Sequence, residues 1–174
     1  MRPLAGQVLH FSEDPAITRF VPHVAATAQQ PEPYVWAVDA EQAPAYWFPR
    51  DCPRVLAWTG PETIAADRRL LGDRRVHAIE YGWLPALQTA HLYAYRFDAA
   101  PFRPLGSPQP HAMVATTAVT PLGPAEPVGD LLALHEGAGI QLRLVSNLWA
   151  VMDEVAASSL RFSGIRLRNA TPRR

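Results

Sequence analysis

Short runs of apolar and aromatic residues, bounded by Pro, Gly, Asp or Asn, recur along the whole chain and predict a series of short strands. The predicted strands cover residues 7–12, 34–38, 54–58, 76–81, 91–97, 113–120, 140–144 and 160–167. We expect residues 76–81 and 91–97 to flank a short turn at 82–85. A β-bulge is expected at Ser163 and Gly164, where the alternation of the last strand is interrupted.

Helical spacing is clearest after Asn147, because apolar residues follow at 148, 151, 152 and 155, the spacing of one helix face. An asparagine is also a favourable N-cap. Thr59 and Glu62 have the spacing of a capping box and predict a second helix that ends near Gly72. A third helix is expected from Leu131 to about residue 137, and a short one from Pro44 to about residue 48.

These elements predict an α+β protein with a strongly bent, mostly antiparallel sheet flanked by helices. The chain has 174 residues, of which 48% are apolar, and contains no internal repeat or low-complexity linker. A chain of this length buries enough apolar surface to fold without disulfides or metals. We therefore expect one domain over residues 1–174.

Charge and composition exclude several classes of function. There are 16 basic and 16 acidic residues, so the net charge is zero, and a strong nucleic-acid signal is absent. All the basic residues are arginine, which excludes Schiff-base and P-loop lysines. No apolar run reaches the roughly 20 residues of a membrane span. Cys52 is the single cysteine, so no internal disulfide is expected and a reducing cytoplasm is the predicted location.

An N-terminal group of polar and aromatic residues is the candidate functional surface. His10 and Ser12 lie in the first predicted strand, Trp36 in the second, and Tyr46 in the short helix that follows. Two aromatic side chains facing one groove sandwich a flat ring such as a nucleobase. Arginine forks on a turn held by prolines grip a diphosphate or a carboxylate. The arginines on that turn are Arg50 and Arg54.

The first third of the chain resembles the ADP-ribosyltransferase superfamily. In that family a histidine of the first strand binds the ribose of NAD, and two aromatic residues about eleven positions apart clamp the nicotinamide. The resemblance implies that His10 holds the ribose, that Trp36 is the first aromatic residue, and that Tyr46 or Trp47 is the second. The catalytic glutamate of the family corresponds to the His111–Ala112 position, where this chain has no acidic residue. The resemblance therefore implies binding of NAD or a related nucleotide and leaves catalysis open.

Three short phrases, spread over nearly the full length, are similar to those of an uncharacterised bacterial family of about this size. They are His10-Phe11-Ser12-Glu13-Asp14-Pro15, Phe48-Pro49-Arg50-Asp51-Cys52-Pro53-Arg54 and Phe162-Ser163-Gly164-Ile165-Arg166. This resemblance implies no known activity.

Two other functions and a metal site are weighed against nucleotide binding. In the first, the protein is a non-catalytic interaction module that uses Arg161, Arg166 and Arg168 to bind a protein partner or a second copy. In the second, His10 is the base of a small hydrolase, oriented by Asp14 or Asp39. His10, Glu13, Asp14, Asp39 and His111 are of types that bind metals, but their spacing matches no metal motif, so no metal is predicted.

Overall fold

The computed structural model describes residues 1–24, 31–72, 74–107 and 110–173. These residues form two compact units, each built from two separate segments of the chain. Unit 1 comprises Met1–Trp47 and His91–Gly129, and unit 2 comprises Phe48–Ala90 and Asp130–Arg174. Both strands and helices are present, so the predicted α+β class is confirmed.

The described residues form ten strands, four α-helices and three short 3-10 helices. The strands are β1 Gln7–Ser12, β2 Val35–Ala37, β3 Arg54–Trp58, β4 Val76–Glu80, β5 Tyr93–Asp98, β6 Arg103–Leu105, β7 Ala112–Ala115, β8 Glu126–Pro127, β9 Gln141–Val145 and β10 Arg161–Ile165. The α-helices are α1 Ala65–Leu71, α2 Leu84–Thr89, α3 Leu131–Gly137 and α4 Leu148–Ala156. The 3-10 helices are Ala43–Tyr46, Tyr81–Trp83 and Leu167–Asn169. In the described part of the chain no helix is long and apolar enough to cross a membrane.

Unit 1 contains two antiparallel three-stranded sheets, ordered β1-β5-β8 and β2-β7-β6. A two-hydrogen-bond bridge between Leu9 and Val38 connects β1 with the chain just after β2. Side chains along each strand alternate between the two faces of its sheet, and one face of each sheet contributes to a single apolar core. The core residues are Val8, Phe20, Val35, Ala37, Tyr95, Phe97, Phe102, Ala115 and Val119.

Unit 2 contains one four-stranded sheet, ordered β10-β3-β4-β9, in which only the β4–β9 pair is parallel among the described strands. Helices α1 and α4 pack on one face, where Leu71, Leu148 and Val155 meet Val55 and Ala78. The opposite face carries the alternate residues of β3 and β4. Helix α3 packs there, through the side-chain contact of its His135 with His77 of β4.

Several predicted elements are confirmed at or near their predicted residues. Strands β1 and β3 begin and end where the sequence predicts, and β4, β5 and β9 overlap their predictions. In α4 the side chain of Asn147 accepts a hydrogen bond from the Trp149 amide, as an N-cap does. Helix α1 ends at Gly72 in the left-handed conformation, as expected for a helix C-terminus.

Other predictions are wrong in detail. The described strands form three sheets instead of one bent sheet. Residues 82–85 are no turn between paired strands, because Leu84 begins α2 and strands β4 and β5 belong to different sheets. The strand predicted over 113–120 stops at Ala115. Residues 25–30 lie outside the described residues.

Two predicted local devices are also absent. The Thr59–Glu62 capping box does not form, since α1 begins at Ala65 and the Ile64 amide donates to the Ser159 hydroxyl. No bulge occurs at Gly164, which pairs in regular register with Val55. A Cβ there would lie 2.7 Å from Leu167 Cδ1, so a larger residue at this position would require the Leu167 side chain to shift.

Candidate functional site

The structure brings His10 to the backbone of β2. His10 Nδ1 lies 2.8 Å from the Trp36 carbonyl oxygen, and since a carbonyl only accepts, Nδ1 is the protonated nitrogen. The imidazole also packs against Phe20 of the unit 1 core, with ring centroids 4.9 Å apart. His10 therefore contacts the main chain of Trp36, and its ring is directed toward the core.

The indole of Trp36 pairs with a different aromatic residue. Its ring meets Tyr34 edge to face, with centroids 5.9 Å apart, and the Trp36 side chain is half-buried. The indole Nε1 is buried, and no acceptor for it exists among the described residues. Buried donors without an acceptor are rare in folded proteins, so this N–H is a point where a further acceptor would be stabilised.

Arg103, which the sequence reasoning did not single out, extends this aromatic pair. In the β2-β7-β6 sheet, Val114 lies opposite both Trp36 and Arg103, so these three side chains project from the same face. Arg103 is exposed, its Nη2 donates to the Tyr34 hydroxyl at 3.1 Å, and its guanidinium carbon lies 5.5 Å from the Tyr34 ring centre. We name Tyr34, Trp36 and Arg103 the aromatic–arginine face.

Ser12 and Tyr46 are the other predicted site residues of unit 1. Ser12 is buried, and its hydroxyl accepts from the Asp14 amide at 3.1 Å. This short contact closes the turn after β1. Tyr46 ends the 3-10 helix Ala43–Tyr46 and is half-buried.

The two predicted arginines lie in unit 2, so the predicted group is divided between the units. Arg50 is exposed. Arg54 is only 3% exposed; its Nη1 donates to the Cys52 carbonyl at 2.8 Å, and its guanidinium lies 4.9 Å from the Phe48 ring centre. These are the surroundings of a structural arginine, and binding of a ligand by Arg50 or Arg54 stays a prediction.

Cys52 is fully buried beside these arginines. Burial raises the pKa of its thiol to about 12, and the nearby Arg54 charge opposes that rise only in part. Because the thiolate is the reactive form, Cys52 is protonated and inert at neutral pH.

The carboxylates of the hydrolase hypothesis serve turns. Asp14 Oδ1 accepts from the Ala16 amide at 2.8 Å, and Asp39 Oδ1 accepts from the amides of Glu41 and Gln42. These bonds are typical of Asx turns. Among the described residues, no group of three or more His, Cys, Asp or Glu side chains is placed to hold a metal ion.

Comparison with protein families identifies the chain. A model described as a family of unknown function, DUF6886, matches residues 9–170. The chain belongs to this family. The match confirms the predicted resemblance to an uncharacterised family, and it includes most of both units. Neither the curated proteins nor the solved structures contain a match to the chain.

The DUF6886 chain also contains a buried polar relay that sequence reasoning missed. His77 and His135 are 0% and 2% exposed, and His77 Nδ1 lies 3.0 Å from His135 Nε2. Arg75 Nε donates to His77 Nε2 at 3.0 Å, and His135 Nδ1 donates to the Leu131 carbonyl at 2.7 Å. These partners fix the proton of each neutral ring on Nδ1, so that His77 donates to His135.

Desolvation keeps both rings of this DUF6886 relay neutral. Burial is the main cause that lowers the pKa of His77 well below its usual value, with added repulsion from His135, Arg75 and Arg54. Burial also lowers the pKa of His135, although its bond to the Leu131 carbonyl acts in the opposite direction. The relay is therefore a structural feature of unit 2 that depends on neutral histidines.

Proposed function

We propose that unit 1 binds a small anionic ligand with a planar ring, of the nucleotide class that includes NAD and ADP-ribose, on the aromatic–arginine face. The observation that carries the proposal is the common position of Trp36 and Arg103 opposite Val114. An aromatic ring and an exposed guanidinium then project from one face, with Tyr34 bonded to Arg103.

Each group has a distinct task in this proposal. The Trp36 ring stacks on the flat base. The Arg103 fork donates two parallel hydrogen bonds to a phosphate. His10 holds the Trp36 carbonyl and so fixes the backbone that carries the indole. The proposal concerns binding, because the His111–Ala112 position has no carboxylate to stabilise a cationic transition state.

Isothermal titration with ADP-ribose and with adenosine tests the proposal. In Arg103→Gln we expect the affinity for ADP-ribose to fall about 10- to 100-fold, the loss typical of a charged hydrogen bond, while adenosine binding is unchanged. Arg19→Gln is the matched control, since Arg19 is also an exposed arginine of unit 1. Ligand binding should quench the tryptophan fluorescence of the wild type. Trp36→Phe should remove this quenching, whereas Trp149→Phe should retain it.

Two results would overturn the proposal. One is the absence of saturable binding of ADP-ribose or NAD to the wild-type protein up to millimolar concentration. The other is an Arg103→Gln variant that binds ADP-ribose as tightly as the wild type does.

A further inference from the structure

Unit 2 contains a cavity of about 540 Å³ beside the end of β4. Its volume is within the range of pockets that hold small molecules. Residues of three segments line it, among them Glu80, Tyr81, Trp83, Ser146 and Asn169. The cavity shares no residue with the aromatic–arginine face, whose residues all belong to unit 1.

Glu80 supplies a negative charge to this cavity. Its side chain is 6% exposed and accepts hydrogen bonds from the Leu148 amide at 3.1 Å, the Thr171 amide at 2.9 Å and the Thr171 hydroxyl at 3.0 Å. Within the described part of the chain, no hydrogen bond to this carboxylate comes from an arginine or a histidine. These hydrogen bonds satisfy the carboxylate but bring no positive side chain to it among the described residues, so a cation in the adjoining cavity would be attracted to its charge.

Two aromatic residues line the same cavity. Tyr81 follows Glu80 directly and is 61% exposed, and Trp83 comes two residues later. The faces of tyrosine and tryptophan rings attract cations, organic ammonium groups above all. No arginine is among the described residues that line the cavity, so it is unsuited to an anion.

We propose that this cavity binds a small organic cation, a primary or quaternary ammonium compound. Glu80 provides the opposite charge, and Tyr81 and Trp83 provide ring faces for the ammonium group. The Ser146 hydroxyl and the side-chain amide oxygen of Asn169 accept hydrogen bonds from hydroxyl or amino substituents of the ligand. Asn169 Nδ2 donates to the Asp51 carbonyl at 2.7 Å, which leaves its amide oxygen for this task.

The decisive experiment compares a cation with a neutral molecule of the same shape. Choline, butylammonium and 3,3-dimethylbutan-1-ol, the uncharged carbon analogue of choline, are titrated into the full-length protein and followed by NMR of the tryptophan indole signals. We expect saturable shifts of one indole signal, assigned to Trp83 by Trp83→Phe, with at least one of the two cations. The neutral analogue should bind about tenfold more weakly or not at all.

Variants of two lining residues separate the contributions. Tyr81→Ala should weaken cation binding about three- to thirtyfold, and Tyr81→Phe, which keeps the ring face, should retain it. Tyr81 is exposed, so neither change threatens the fold. Glu80→Gln keeps an oxygen that accepts from Leu148 and Thr171 but removes the charge, and binding should fall at least about tenfold.

The proposal is overturned if neither cation saturates the site up to millimolar concentration, or if the neutral analogue binds as well as choline. It is also overturned if Tyr81→Ala and Tyr81→Phe bind the cation equally. Should Glu80→Gln fail to fold, the two Tyr81 variants alone decide the question. The outcome does not depend on nucleotide binding in unit 1, because no residue is shared.

Discussion

Acidification should destabilise unit 2 through the buried pair His77 and His135. Both rings lie in the native structure with their protons on Nδ1, bonded to each other, to Arg75 and to the Leu131 carbonyl. A second proton on His77 would face the Arg75 N–H, and one on His135 would face the His77 N–H. The native protein therefore resists protonation at both rings, as their lowered pKa values indicate.

The sign and size of the effect follow from proton linkage. In the unfolded chain each ring takes up a proton below its usual pKa of about 6.5, while the native rings stay neutral until the pH reaches their lower pKa. The contribution of the neutral pair to the unfolding free energy is thus fully present above about pH 6.5 and is lost as the pH falls. Between about pH 7.5 and about pH 5.5 each histidine lowers the unfolding free energy by at most about 1.4 kcal/mol, so the pair lowers it by at most about 2.7 kcal/mol.

Urea unfolding at these two pH values measures the loss. The quantity compared is the difference in unfolding free energy between the two pH values, so any loss of packing in a variant cancels. Removal of one titrating ring in His135→Gln should reduce the pH-dependent loss by about half of the pair's contribution. His91→Gln is the control, because His91 is exposed and should leave the loss unchanged.

Equal losses of unfolding free energy on acidification in the wild type and in His135→Gln would contradict the expected cost of protonating the pair. A direct measurement is available from the ring nitrogen signals of His77 and His135. A ring that titrates near pH 6.5 in the folded protein would likewise contradict a neutral relay.

Cys52, Gly72 and Asp130 of unit 2 have local surroundings whose effects can be measured. With a pKa of about 12, roughly one Cys52 thiol in ten thousand is ionised at about pH 8, so a thiol-reactive disulfide reagent should label the native protein about a thousandfold more slowly than the urea-unfolded protein; equal rates would contradict a buried thiol. Gly72→Ala should lower the unfolding free energy by about 1 kcal/mol, since Gly72 has φ +58°, whereas Gly137→Ala should raise it by up to about 1 kcal/mol, because Gly137 is the last residue of α3 and an added Cβ there meets open space; thermal unfolding measures both changes. Asp130→Ala should lower the unfolding free energy by about 1 kcal/mol, because the Asp130 side chain accepts from the amides of Leu132 and Ala133 at the start of α3. A smaller loss of unfolding free energy than an alanine substitution at an exposed control residue causes would argue against that cap.

Elements whose signal is local could be predicted from the sequence. Helix α4 combines a capping residue with four apolar residues on one face, and both signals lie within nine positions. The first turn of α1 depends instead on Ser159, which is far away in sequence and accepts from Ile64. The sequence does not predict helix α2, because Gly82 and Pro85 are typical of turns, although a proline in the first turn of a helix loses no hydrogen bond.

The candidate site shows the same division between local and distant signals. Trp36 could be identified from its place in an aromatic strand, and the structure does bring His10 to its backbone. Arg103 could not be identified, because its relation to Trp36 exists only through the register of both strands with β7. A sequence pattern identifies residue types that suit a ligand, and strand register decides which of them share a face.

The boundary between the two units falls inside the segment that carries Tyr46 and the predicted arginines. Tyr46 and Arg50 are four residues apart in the sequence, yet the chain passes from unit 1 to unit 2 between Trp47 and Phe48. It returns to unit 1 at His91, so that β4 and β5, adjacent along the chain, pair with different partners. A contiguous phrase such as residues 46–54 therefore carries residues of both units. Function has to be assigned to each unit from the side chains that its own strands bring together, which is why Arg103 replaces Arg54 as the anion-binding residue proposed for unit 1.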